Sequence, residues 1–102
     1  MARGSSKAKG LDMIEANRKE LDRITYELVE IVARRTRLVK GIGKAKEGLG
    51  IGVVNTQRER AVISNARKLA RQMKVDEDLI ENIMKMLIMD GRRKQSSRLN
   101  HR

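Results

Sequence analysis

One apolar register runs through the first half of the chain, and no proline interrupts it. Steps of four and three residues alternate along it, through Ile14, Arg18, Leu21, Thr25, Leu28, Val32, Arg35, Val39, Ile42, Lys46 and Leu49. We call these positions the seam. A register sustained over about five heptads is typical of a long helix that packs along another helix. The seam therefore predicts a first helix from about Leu11 to about Glu47, roughly 55 Å long at 1.5 Å per residue.

Three seam positions carry cations, namely Arg18, Arg35 and Lys46. Burial of an unpaired charge costs several kcal/mol, so these side chains need a carboxylate partner or an anionic ligand. The seam has no acidic residue of its own. The cations would otherwise extend to solvent or pair with Glu59 or Asp90 of other helices. Because three of them share one seam, we favour an anionic ligand.

The spacing of the cations limits how they cooperate. Arg35 and Lys46 are eleven residues apart, about 16 Å along a helix, so their long side chains can hold a small ligand between them. Arg18 lies seventeen residues before Arg35, about 25 Å away, and cannot reach that ligand from the same chain. In an antiparallel dimer, Arg18 of one protomer would approach Arg35 and Lys46 of the other. Each dimer would then have two pockets for a small polyanion.

The rest of the chain predicts two further helices. A glycine-rich connector, Gly48–Val54, lacks the spacing of a phosphate-binding loop. A second helix is expected from Thr56 to about Met73, with Thr56 and Glu59 forming a capping box. Asp76 and the acidic residues after it predict the start of a third helix, which continues past Gly91 into Gln95. The fold class is all-α, a three-helix protomer with one very long N-terminal helix. Residues 1–10 and 98–102 are expected to be flexible basic tails around a domain at 11–97.

Composition restricts the function classes. The net charge of +11, from 24 Lys and Arg against 13 Asp and Glu, is compatible with a basic helical dimer that binds nucleic acid. Two observations weaken this interpretation. Much of the charge lies in the two ends. The chain also has no zinc-finger spacing, and with Tyr26 as its only aromatic residue it has no stacking platform for bases. With no cysteine and a lone His101, we expect no metal site. No apolar run has transmembrane length and no signal peptide is evident, so we expect a cytoplasmic protein.

Several short pieces of sequence, taken in order, resemble a known family. They are Arg18-x-x-Leu21-Asp22-x-Ile24, Arg35, Gly43-Lys-Ala-Lys46, Arg58-Glu59 and Gln95. Together they resemble the all-helical class of chorismate mutase over residues 11–97, without an internal gap. The resemblance implies an intertwined homodimer with two shared active sites. It also implies conversion of chorismate to prephenate in phenylalanine and tyrosine biosynthesis, without a cofactor.

The resemblance also implies roles for individual residues. Arg18 would be donated across the dimer to a substrate carboxylate, and Arg35 would hold a carboxylate within its own chain. Lys46 and Gln95 would donate hydrogen bonds to the ether oxygen of the substrate. The Glu59 side chain and the Arg58 backbone would engage the hydroxyl side of the substrate.

Two positions depart from the family pattern. Asn55 stands where relatives commonly have an aspartate near the substrate hydroxyl. Gly91 stands where some relatives carry a serine that helps to hold a carboxylate. Neither change removes a donor to the ether oxygen, so we expect an active enzyme with weaker substrate binding. The rearrangement is pericyclic and needs no nucleophile or metal, in agreement with the residues that the chain lacks.

Overall fold

The computed structural model describes the backbone of residues 2–100 and the side chains of residues 6–96. This part of the chain forms three helices, α1 (Ala2–Leu49), α2 (Thr56–Gln72) and α3 (Glu77–Asn100), and contains no strand. The all-α, three-helix prediction is therefore confirmed. The chain divides into two compact units, one that ends at Arg35 and one that begins at Thr36.

Helix α1 starts earlier than the sequence pattern predicted. It begins at Ala2 rather than at about Leu11, so the predicted boundary is wrong. Once a helix has formed, each added residue costs little, and no proline precedes Leu11 to stop it. Gly10 weakens the helix only by about 1 kcal/mol relative to alanine. The flexibility expected for residues 1–10 stays a prediction, and Met1 lies outside the described residues.

Helix α3 is longer than predicted at its carboxyl end. Its backbone runs to Asn100, into the segment expected to be a tail from residue 98. His101 and Arg102 lie outside the described residues. The helix passes through Gly91 without a break, because a buried glycine inside a well-formed helix is tolerated at modest cost.

In the unit that ends at Arg35, the described residues form the first part of helix α1 and leave that part of the seam uncovered. Its described side chains, residues 6–35, include none that is buried. The seam residues Leu21 and Leu28 are 59% and 58% exposed. Arg18 is exposed and Arg35 is half-buried. The apolar stripe that predicted a packed helix is therefore not covered within this unit.

The second unit is built on a hairpin of α2 and α3. Ala70 is its buried apolar residue, 4% exposed. Around it lie half-buried side chains of both helices, namely Val62, Ile63, Ala66, Ile80, Met84, Leu87 and Ile88. At the turn of the hairpin, Arg67 of α2 forms salt bridges with Asp78 and Glu81 of α3 at 3.1 Å each.

Local geometry explains where the helices stop and start. Gly50 has a φ of +68° at the end of α1, and the amide of Ile51 donates to the carbonyl of Lys46 at 2.9 Å, which is a Schellman cap. Asp76 caps α3, because its Oδ1 accepts from the amide of Asp78 at 2.8 Å and from that of Leu79 at 3.2 Å. The predicted connector and the predicted start of the third helix are both confirmed.

Candidate active site

Lys46 lies in the last turn of α1 and is half-buried. Its Nζ donates to the backbone carbonyl of Val53 at 2.8 Å and to Oε1 of Gln95 at 3.3 Å. An ammonium group has three N–H donors, so these two bonds hold the side chain in place and leave one donor for a ligand. The Schellman turn after α1 brings Val53 back toward Lys46, so the glycine-rich connector helps to orient this cation.

Gln95 of α3 faces Lys46, and this contact orients its amide. Lysine can only donate, so the amide oxygen of Gln95 must face it, and the amide nitrogen keeps its two N–H donors for another acceptor. Gln95 can come this close because Gly43 of α1 has no side chain. A Cβ built on Gly43 would lie 2.9 Å from Cγ and 3.1 Å from both Cα and Cβ of Gln95.

The start of α2 differs from the predicted capping box. The N-cap is Asn55, whose extended backbone (φ −128°, ψ 91°) lets its Oδ1 accept from the amide of Arg58 at 3.0 Å. Thr56 is already the first helical residue. Asparagine is at least as good a cap as threonine. The capping-box prediction is therefore wrong, and the Glu59 side chain is not the one that closes the cap.

Glu59 instead forms a two-pronged ion pair with Arg92 of α3. Nε of Arg92 donates to Oε2 at 2.9 Å and Nη2 donates to Oε1 at 2.5 Å. The side chains of Arg92 and Glu59 are 35% and 19% exposed. The hydrogen bonds from Arg92 lower the pKa of Glu59, and the charges of Arg92 and Lys46 add to this lowering against the opposing effect of burial. Glu59 is thus an ionised acceptor within the field of Lys46.

The comparisons with known proteins decide the family. The sequence model described as chorismate mutase type II matches residues 17–96. The chain belongs to this family. It is 32% identical over 71 residues to the chorismate mutase of Methanocaldococcus jannaschii. The aligned residues make up 70% of this chain and 72% of that protein.

Two longer proteins are also similar. The T-protein of Enterobacter agglomerans is 27% identical over 76% of this chain, and the T-protein of Haemophilus influenzae is 28% identical over 79% of it. The chain spans only 21% and 22% of the lengths of these two proteins. The likeness to them therefore concerns one part of each T-protein.

The structure brings together some of the residues that the chorismate mutase resemblance selects. Lys46 and Gln95 are in contact, and Glu59 lies close enough to Lys46 for its pKa to respond to that charge. Asn55 and Arg58 share the first turn of α2 and are exposed, and Gly91 is buried in α3. Arg18 and Arg35 belong to the other unit.

Sequence reasoning missed two participants, the carbonyl of Val53 and the side chain of Arg92. A backbone carbonyl has no sequence signal. Arg92 has one, since it lies three residues before Gln95 and so shares a helix face with it, but its place in a basic terminal run does not distinguish it from ordinary surface. Within the described residues no group of three potential metal ligands occurs, and none of the helices there has the length and apolar content needed to cross a membrane.

Proposed function

We propose that this protein is a chorismate mutase that converts chorismate to prephenate in phenylalanine and tyrosine biosynthesis. Membership of the chorismate mutase type II family supports the proposal. The observation that carries it is the contact between Lys46 and Gln95, in which Nζ of Lys46 donates to Oε1 of Gln95 at 3.3 Å and leaves the amide N–H groups of Gln95 for a ligand. We expect the protein to act in the cytoplasm.

The proposed mechanism needs donors aimed at one oxygen atom. The rearrangement breaks the ether C–O bond of chorismate while a C–C bond forms, and negative charge grows on the ether oxygen. The remaining N–H of Lys46 and an N–H of Gln95 would stabilise this charge. Preorganised donors in a site from which water is excluded contribute a few kcal/mol each to such a transition state. Val53 and Gln95 already orient Lys46, so little reorganisation is needed.

Substrate binding supplies the remaining rate enhancement in this proposal. Arg18 and Arg35 would hold the two carboxylates through two-pronged hydrogen bonds and so favour the compact conformer that reacts. The Glu59 carboxylate would accept a hydrogen bond from the hydroxyl group beside the backbone of Arg58, whose single amide N–H is used in the helix cap. The Oδ1 of Asn55 already accepts from Arg58, so we assign Asn55 mainly to fixing this helix start. Gly91 has no side chain to offer, which supports the expectation of weaker binding.

We also propose that the active species is an intertwined homodimer with two shared sites. The described side chains of residues 6–35 include none that is buried, so a single chain leaves this part of the α1 stripe exposed. The uncovered seam of α1 supplies apolar surface for a second copy to bury. Arg18 lies 28 residues before Lys46 in the sequence, and in this proposal a second chain supplies it to the Lys46 site.

The test is turnover of chorismate by the purified protein, with a matched pair of lysine variants. Lys46→Ala removes the proposed donor, and we expect a loss of at least about a hundredfold in kcat. Lys44→Ala removes an exposed lysine of the same helix and should leave kcat within about twofold, as for a surface change. Equal losses in both variants, or no turnover by the native protein, would contradict the proposal.

Binding of nucleic acid is the alternative, and the net charge of +11 is the observation that favours it. It predicts an affinity that falls steeply as salt is raised. A native protein that binds nucleic acid in this way and does not turn over chorismate would support the alternative.

A further inference from the structure

We propose that Arg92 is a positioning residue of the active site, which holds the Glu59 carboxylate in one orientation as the acceptor for the substrate hydroxyl. This inference rests on the proposed function, because it assigns Glu59 to the substrate. Arg92 is not among the residues that the family resemblance selects. Arg92 is identified by its contact with Glu59, which joins α3 to α2.

The ion pair between Arg92 and Glu59 has the two-pronged geometry that fixes the orientation of both side chains. Two parallel hydrogen bonds, of 2.9 Å and 2.5 Å, join side chains that are 33 residues apart in sequence. The planar guanidinium fixes the plane of the carboxylate, which a lysine could not do. The neighbouring Arg93 differs in each respect. Its side chain is 70% exposed and, among the described residues, pairs with Asp90 of its own helix at 3.4 Å.

The ion pair leaves Glu59 able to bind a ligand. Each carboxylate oxygen has two lone pairs, and Arg92 uses one on each oxygen. The others can accept a hydrogen bond from a hydroxyl group, whereas they repel a carboxylate. A dianion with one hydroxyl group would therefore turn its hydroxyl toward Glu59 and its carboxylates toward the cations. Arg92 would thus help to select the orientation in which the substrate binds.

The charge state of Glu59 provides a specific readout. The groups that act on it are Arg92 from α3 and Lys46 from α1, and both lower its pKa, whereas burial raises it. In a variant without Arg92, burial is opposed by Lys46 alone, and the pKa of Glu59 rises. Glu59 then gains a proton at a higher pH than in the native protein and loses its acceptor strength. The acid side of the activity profile should shift to higher pH.

The experiment compares Arg92→Gln with Arg93→Gln in the full chain, using chorismate turnover from acidic to alkaline pH. For Arg92→Gln we expect kcat/KM to fall between about tenfold and a hundredfold, mostly through KM, as for a misplaced binding group. Its acid limb should shift to higher pH, and Arg93→Gln should match the native protein. In a Glu59→Gln background, Arg92→Gln should cause no further loss.

Arg92→Lys separates orientation from charge. It keeps the cation and loses the two-pronged contact, so we expect its kcat/KM to lie between those of the native protein and Arg92→Gln. The proposal is overturned by a native KM and pH profile in Arg92→Gln, or by native kinetics in Arg92→Lys if Arg92→Gln fails to fold. If the native protein does not convert chorismate, the proposed function fails. If it does and the two glutamine variants behave alike, only this inference fails.

Discussion

At the scale of single residues, the site depends on which groups can donate a hydrogen bond. Lys46 donates to Val53 and Gln95 and keeps one N–H, and Gln95 keeps both of its amide N–H groups because its oxygen faces Lys46. Neither the Gln95 amide nor an ionised Glu59 changes its protonation state near neutral pH. We therefore expect native activity to be nearly independent of pH from mildly acidic to mildly alkaline conditions.

Gln95→Glu tests the assignment of Gln95 as a donor. A glutamic acid can donate only when protonated, and Lys46 lowers the pKa of a carboxyl group at this place while burial raises it. Activity of the variant should be highest in acid and should fall as pH rises through that pKa, because a carboxylate would face the growing negative charge. The measurement is chorismate turnover across pH, with folding checked at each point. A native rate and profile in Gln95→Glu would show that Gln95 is not the donor.

At the scale of helices, the site requires α1 and α3 to meet at Gly43. Glycine inside a helix costs about 1 kcal/mol relative to alanine, so a glycine at this place needs a reason. The reason is the space occupied by Gln95, whose Cα lies 3.1 Å from where a Cβ would be. A side chain could rotate away, but a backbone atom can only move with its helix.

We therefore expect Gly43→Ala to displace α3. Its kcat should fall by a larger factor than its KM rises, because in the proposed mechanism Gln95 donates to the transition state. Gly41→Ala is the matched control, since, apart from its chain neighbours and the nearby backbone of its own helix, no atom of the described residues lies within 4 Å of a Cβ built there. It should keep native kinetics and raise the free energy of unfolding by about 0.5–1 kcal/mol. The measurements are steady-state kinetics and denaturant unfolding of both variants. Native kcat in Gly43→Ala would show that the close approach does not position Gln95.

At the scale of the whole molecule, much of the fold could be predicted from the sequence because local signals agree with it. The seam predicts the long helix, Asp76 predicts the start of α3, and the glycines after Glu47 predict the connector. Boundaries set by small energy differences were missed. Helix α1 extends to Ala2 because nothing stops it, and Asn55 replaces Thr56 as the cap because the two residue types have similar capping strength.

The candidate site was predictable only in part, because some of its residues are recognisable from the sequence around them and others only from a distant partner. Lys46 stood out because a cation on an apolar seam conflicts with its surroundings, and Gln95 was selected only through the family resemblance. Arg92 produces no such conflict, because a basic residue in a basic terminal run looks like ordinary surface. Its role depends on a partner 33 residues away, and only the packing of α2 against α3 brings Glu59 to it.

Subunit mixing tests the central claim, an active site for chorismate shared between two chains, most directly. Arg18→Ala and Arg35→Ala should each be inactive alone. After equal mixing and full exchange, half of the dimers contain one chain of each kind, and one of their two sites has both arginines. We expect recovery to about a quarter of native chorismate turnover, because each proposed site of the symmetric dimer takes residues from both chains. No recovery despite proven exchange, or full activity of a native monomer at high dilution, would contradict it.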